Sequence, residues 1–244
     1  MTDENQHWVP KFLIKNFTDD DGRVFCLDIN TAHVTKPPPK YAASGAGFND
    51  FAMQGEIVSF EDRLEKMETA AAPLLRKIIN SRSLSVLNEA QRKKVADFIA
   101  VQSFRTEAFH QGLDPKISRK GFGQIFARMW DSAVHLSAEI LRRKWALMVI
   151  DHDDIFYLGD HPIILQNMEK PLWPGELGFD IEGVEALIPL SPKCALWLPC
   201  AIKTKEIIDG YELAQKNIQE AESQKIAWEA VGLTDMLLVS IPVN

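Results

Sequence analysis

The chain has 244 residues, 46% of them hydrophobic and 25% charged, with a formal net charge of -7. That balance supplies ample core material, unlike the polar composition of a disordered chain. The acidic excess suits solubility and argues against nonspecific adhesion to DNA or an anionic membrane. No run reaches the ~18 apolar residues of a membrane span. Three cysteines, Cys26, Cys194 and Cys200, fit no zinc spacing, and the opening MTDENQHW has no apolar signal region. These features imply a cytoplasmic, reducing setting.

In chain order, Val9, Phe12, Leu13 and Phe17 recur at helical spacing, with Pro10 in the first turn and His7 just before it. RVFCLD and AHVTK read as two strands of a hairpin around Asn30-Thr31, followed by the breaker cluster Pro37-Pro38-Pro39. The small residues from 42 to 55 predict an irregular loop. Ser59 with Asp62 resembles a capping box, and Phe60, Leu64, Met67, Ala71, Leu74, Leu75 and Ile78 form the apolar stripe behind it. Pro73 is expected to kink or divide that helix. Asn88 with Gln91 opens a second long helix through Gln102 and Arg105. A third spans about 117 to 143 and should be irregular near Gly121 and Gly123.

The pattern then changes. WALMVI, DIFYLGD, PIILQ, VEALIPL, ALWLPC and MLLVSIPV are short apolar runs bounded by turn residues and predict strands, with an amphipathic helix over 211–230 before the last. The expected fold class is α+β. A helical N-terminal half with a small hairpin packs on a mostly antiparallel C-terminal sheet with one late helix. No linker divides the chain, so 1–244 reads as one domain, with lobes at 1–143 and 144–244.

Four groups of polar residues could carry chemistry. His7 stands at the entrance of the first helix, where its ring could cap the helix, contact a ligand or simply bond the backbone. Glu61, Glu65 and Glu68 fall on one side of their helix. Aligned carboxylates invite a hard cation or a partner, or form a solvated acidic stripe. Gln102, Arg105 and Thr106 lie on a helix with an apolar inner face. There the guanidinium suits either an anionic ligand or an internal pair with Glu61 or Glu68. Asp160, in LGDHP, follows an apolar run, a position for a functional carboxylate or for a turn cap. The neighbouring DHDD at 151–154 reads as a hairpin turn. No nucleophile elbow, Walker loop or dinucleotide fingerprint is present.

The segments QHWVPKFLIKNF, FEDRLEKMETAAAPLL, FIAVQSFRT and YLGDHPI, in this order, resemble the domain-of-unknown-function family 4238. The resemblance covers most of the chain and implies family polar positions at His7, Glu61 or Glu68, Arg105 and Asp160. Gly159 replaces a frequent serine or threonine, and Glu107 a frequent proline. No reaction comes with the family. If the cluster is catalytic, its residue types suit metal-assisted hydrolysis of a phosphoester or related bond. Glu61, Glu65, Glu68 or Asp160 would hold a divalent metal, His7 would be base or ligand, and Arg105, with Gln102, would hold the anionic substrate. Two further readings stand beside it. One is a noncatalytic module for a small anionic ligand or a protein partner, of the kind used in microbial defence or regulation. The other is a purely structural polar cluster.

Overall fold

A computed structural model describes residues 5–53, 55–107, 109, 119–167, 178–200 and 205. The class is α+β. Strand β1 (Asn5–His7) leads into the short helix α1 (Lys11–Ile14), for which Pro10 is the N-cap. The hairpin β2 (Cys26–Asp28) and β3 (His33–Thr35) follows, with Leu27 opposite Val34. Then come β4 (Ser44–Ala46), β5 (Asp50–Met53) and β6 (Glu56–Ser59). The long helices are α2 (Glu61–Ser81), α3 (Glu89–Gln102) and α4 (Arg119–Arg142). The C-terminal strands β7 (Ala146–Val149), β8 (Ile164–Asn167), β9 (Val184–Ser191) and β10 (Cys194–Leu198) form one antiparallel sheet in the order β7-β10-β9-β8.

The period-2 pattern of this sheet explains its packing. Leu147, Ala186, Ile188, Leu190, Leu196 and Leu198 enter one buried cluster with Leu64, Leu75 and Ile78 of α2 and with Val95, Phe98 and Ile99 of α3. Phe126 of α4 stacks against Phe51, Phe60 and Phe104, with centroids 4.9 to 5.4 Å apart. A second, smaller cluster of Val9, Leu13, Ile14, Val24 and Ala42 seats α1. Asn16 ties that end of the chain to the sheet by donating from Nδ2 to the carbonyl of Leu190 at 2.8 Å.

Several expectations require correction. The segment from 42 to 55 is not an irregular loop. Ser44–Ala46 pairs antiparallel with β1, and β5 pairs with β6. Pro73 does not divide α2, which runs unbroken through it. Pro73 is exposed, so water can satisfy the carbonyl left without a donor. The cap of α2 is Phe60 and makes no side-chain bond, so Ser59 and Asp62 form no capping box. Helix α3 does carry the reciprocal box, Asn88 Oδ1 accepting from Gln91 N at 2.9 Å and Gln91 Oε1 from Asn88 N at 3.1 Å. DIFYLGD is not a strand. It crosses the surface, held where Phe156 N donates to Pro192 O at 2.8 Å and Lys193 Nζ to Asp154 O at 2.8 Å. DHDD is no hairpin turn either, because β7 and β8 lie at opposite edges of the sheet. The helix expected over 211–230 and the strand MLLVSIPV lie outside the described residues. No described helix is long and apolar enough to cross a membrane.

Candidate functional site

The opening strand positions the site. β1 lies beside β4, and the carbonyls of its last residue, His7, and of the following Trp8 face the end of α3. Gln102 donates from Nε2 to Trp8 O at 2.7 Å, and Arg105 donates from Nη2 to His7 O at 2.5 Å. Arg105 Nη1 pairs with the Glu68 carboxylate of α2. One guanidinium therefore joins β1, α2 and the turn that ends α3. The Arg105 side chain is 2% exposed and that of Glu68 22%, so the pair lies at the inner edge of the surface.

On the other side of β1, Gln6 is buried. Its Nε2 donates to Asp50 Oδ1 at 2.9 Å, and its Oε1 accepts from Asn49 N at 2.6 Å. Asn49 Nδ2 donates to Glu61 Oε2 at 2.6 Å. Glu61 and Glu68 share a helix side, as their spacing predicts, yet each serves a different partner. Glu65 is exposed beside Asp62, Lys66 and Thr69.

His7 does not cap α1. Its ring Nε2 lies 3.1 Å from Pro39 O. A carbonyl only accepts, so Nε2 carries the proton, and among the described residues no hydrogen bond reaches Nδ1 of the neutral ring. Burial lowers the His7 pKa, against the opposing pull of the Pro39 carbonyl and the Glu68 charge. Thr106, fully buried, accepts from Phe109 N at 3.3 Å and meets His161 Nδ1 at 2.6 Å. Burial lowers the His161 pKa as well, opposed by the neighbouring Asp160 charge.

The structure thus brings together His7, Glu68, Gln102 and Arg105, with Glu61 one step away through Asn49 and Gln6. Asp160 is exposed, and among the described residues no hydrogen bond or ion pair joins it to Arg105. Its charge acts on His161, the partner of Thr106. Of the carboxylates expected to hold a divalent ion, Glu61 bonds Asn49, Glu68 pairs with Arg105, and Glu65 and Asp160 are exposed; among the described residues no group of three His, Cys, Asp or Glu could hold a metal. Sequence reasoning missed Gln6, Asn49 and His161. Gln6 and His161 each stand beside a residue that was singled out, His7 and Asp160. Asn49 sat in a segment read as loop.

A family model described as a protein of unknown function (DUF4238) matches residues 5–124 and 120–223. Both spans include parts of the polar cluster or its surroundings. No curated protein and no solved structure matches the chain.

Proposed function

The chain belongs to the DUF4238 family, whose description carries no activity, and from that premise we propose that it is a noncatalytic binding module whose Arg105 cluster is a structural lock. One observation carries this reading. The guanidinium of Arg105 is buried and committed, with Nη1 on Glu68 and Nη2 on His7 O. An arginine that captures an incoming phosphate must offer its paired donors to solvent. Here an anion would have to displace Glu68 and leave a carboxylate unpaired. Between an anionic ligand and a protein partner, the hairpin favours the protein. Phe25, Leu27, Ile29 and Val34 are all exposed there. The shared cluster of buried side chains from both halves supports a single domain. The free, buried thiols of Cys194 and Cys200 support a reducing, cytoplasmic setting.

Metal-assisted hydrolysis of a phosphoester is the second reading, and the His7 Nδ1, which no hydrogen bond reaches among the described residues and which is close enough to Glu68 to feel its charge, favours it. Metal content and thermal unfolding of the full chain, with and without Mg²⁺, Mn²⁺ and Zn²⁺, separate the two. Hydrolysis of bis(4-nitrophenyl) phosphate is measured alongside. The module reading expects no bound metal, no hydrolysis and a melting temperature indifferent to the ions. A melting temperature raised by one ion, with hydrolysis that disappears in Glu68→Gln, would replace it with the hydrolase.

A further inference from the structure

Among the described residues, four buried polar atoms around β1 have no hydrogen-bond partner: Trp8 Nε1, Asn49 Oδ1, Gln102 Oε1 and Arg105 Nε. Each belongs to a side chain or residue whose other polar groups are firmly used. Gln102 Nε2 is on Trp8 O, Arg105 Nη1 and Nη2 are on Glu68 and His7 O, and Asn49 Nδ2 is on Glu61. Asn49, Gln102 and Arg105 are at most 2% exposed. Folded proteins rarely leave buried donors and acceptors idle, and a cluster of them marks a place where something else completes the bonding.

The four residues are linked through bonds and ring contacts. Gln102 and Arg105 are one helical turn apart, and both bond consecutive carbonyls of the His7-Trp8 segment. The Trp8 ring packs on Phe48 with centroids 5.1 Å apart, and Phe48 precedes Asn49. Gln6 binds Asn49 N from the same strand.

We propose that these side chains enclose an internal binding site for a small neutral molecule that both donates and accepts hydrogen bonds, water being the smallest. The chemistry selects the class. Trp8 Nε1–H and Arg105 Nε–H are donors, and a metal cation would be repelled by both. Gln102 Oε1 and Asn49 Oδ1 are acceptors, and a simple anion would be repelled by both. The Arg105 charge is already balanced by Glu68, so the site calls for no countercharge. An apolar molecule would leave all four atoms idle. A molecule with two acceptor and two donor positions answers them all. The site would thus cement β1 onto α3 and the β4–β5 turn with a guest rather than with the chain alone.

The test uses the full-length protein labelled with ¹⁵N, with the Trp8 indole assigned by triple-resonance experiments. The proposal expects the Trp8 Nε1–H to be slow to exchange and to show a nuclear Overhauser contact with a long-resident water or solute proton. In Gln102→Met, provided the spectrum stays dispersed, that contact falls several-fold. If Gln102→Met does not fold, the wild-type contact decides alone. Mass spectrometry of the filtrate from heat-denatured protein distinguishes the sources. A recovered small polar molecule identifies a metabolite guest, and an empty filtrate with the contact present identifies internal water. Both support the site. A Trp8 indole that exchanges at the rate of free solvent-exposed indole, or that shows no such contact while the filtrate is empty, overturns it. None of these readings depends on whether the module reading survives.

Discussion

Arg105 donates from Nη2 to the backbone oxygen of His7 at 2.5 Å, across 98 residues of chain. The contact is to main chain, so it does not depend on what the His7 ring does. It fixes the path of the opening strand, and the second bond to Glu68 fixes that strand against α2. A planar fork with separate donors can serve both acceptors at once, which an ammonium cannot do in the same geometry.

Arg105→Ala should therefore destabilise the protein by on the order of 3–5 kcal/mol, because it leaves the His7 carbonyl and the Glu68 carboxylate without their partner. Arg105→Lys should recover only part of the loss, since one point charge serves one of the two acceptors well. Urea-unfolding midpoints of the two variants check this. Equal midpoints for wild type and Arg105→Ala would show that the staple contributes nothing.

Stability should fall as pH drops below neutrality. Burial holds the folded-state pKa values of His7 and His161 below the ordinary 6.5. An imidazole with a depressed folded pKa binds its proton more readily in the unfolded chain. The unfolded state thus gains protons first as pH falls through about 6.5, and stability declines until the folded-state pKa is passed. The groups facing His7 are Glu68, which opposes the shift, and Lys11 and Arg105, which add to it. Asp160 faces His161 and opposes its shift. Denaturant midpoints between pH 7.5 and 5.5 should slope downward in the wild type and less steeply in His7→Gln and His161→Gln. A wild-type profile that is flat over this window would contradict the burial of both rings.

Local signals were legible and distant ones were not. The Asn88/Gln91 box and the stripe Leu64, Ala71, Leu75 and Ile78 depend on neighbours three to seven residues away, and sequence spacing reports those directly. Pairing of Arg105 with a glutamate was readable as one of two alternatives because a buried guanidinium requires an acceptor. The choice of Glu68 over Glu61 depends on Asn49, which occupies Glu61 and sat in a segment read as loop. Strand β4 has the sequence SGA and acquires its conformation by pairing with β1, some forty residues earlier. No local propensity encodes that pairing. The run IFYL has strand composition but lies outside the sheet, held by Lys193 and the Pro192 carbonyl.

Gly123 offers a test of packing against propensity. As a helical residue it should gain stability on replacement by alanine. Yet a Cβ there would lie 2.7 Å from Phe51 Cβ and 3.1 Å from Met53 Cγ, where α4 crosses β5. Overpacking of this kind costs about 1–3 kcal/mol and outweighs the propensity gain. Gly123→Ala should lower the unfolding midpoint. A raised midpoint would show that β5 yields easily to α4.

The last expectation concerns a basic run, Arg142-Arg143-Lys144, whose composition alone would suit a polyanion. The structure divides its members. Arg142 is exposed and pairs with Glu139 one turn back. Arg143 turns inward. Its Nε and Nη2 donate to Phe179 O at 3.1 and 2.5 Å, and its Nη1 donates to Val184 O at 2.5 Å. It thereby clasps both ends of the segment that enters β9, and burial lowers its pKa from the usual arginine value. Charged hydrogen bonds of this kind contribute about 1.5–3 kcal/mol, whereas an exposed pair such as Arg142–Glu139 contributes about 0–1 kcal/mol. Arg143→Met keeps the aliphatic stem and removes the three bonds, so it isolates their effect. It should cost about 2 kcal/mol or more and expose the 178–184 segment to limited proteolysis. Arg142→Ala should do neither. If the two substitutions shift the unfolding midpoint equally, Arg143 is an ordinary surface cation and the clasp has no energetic weight.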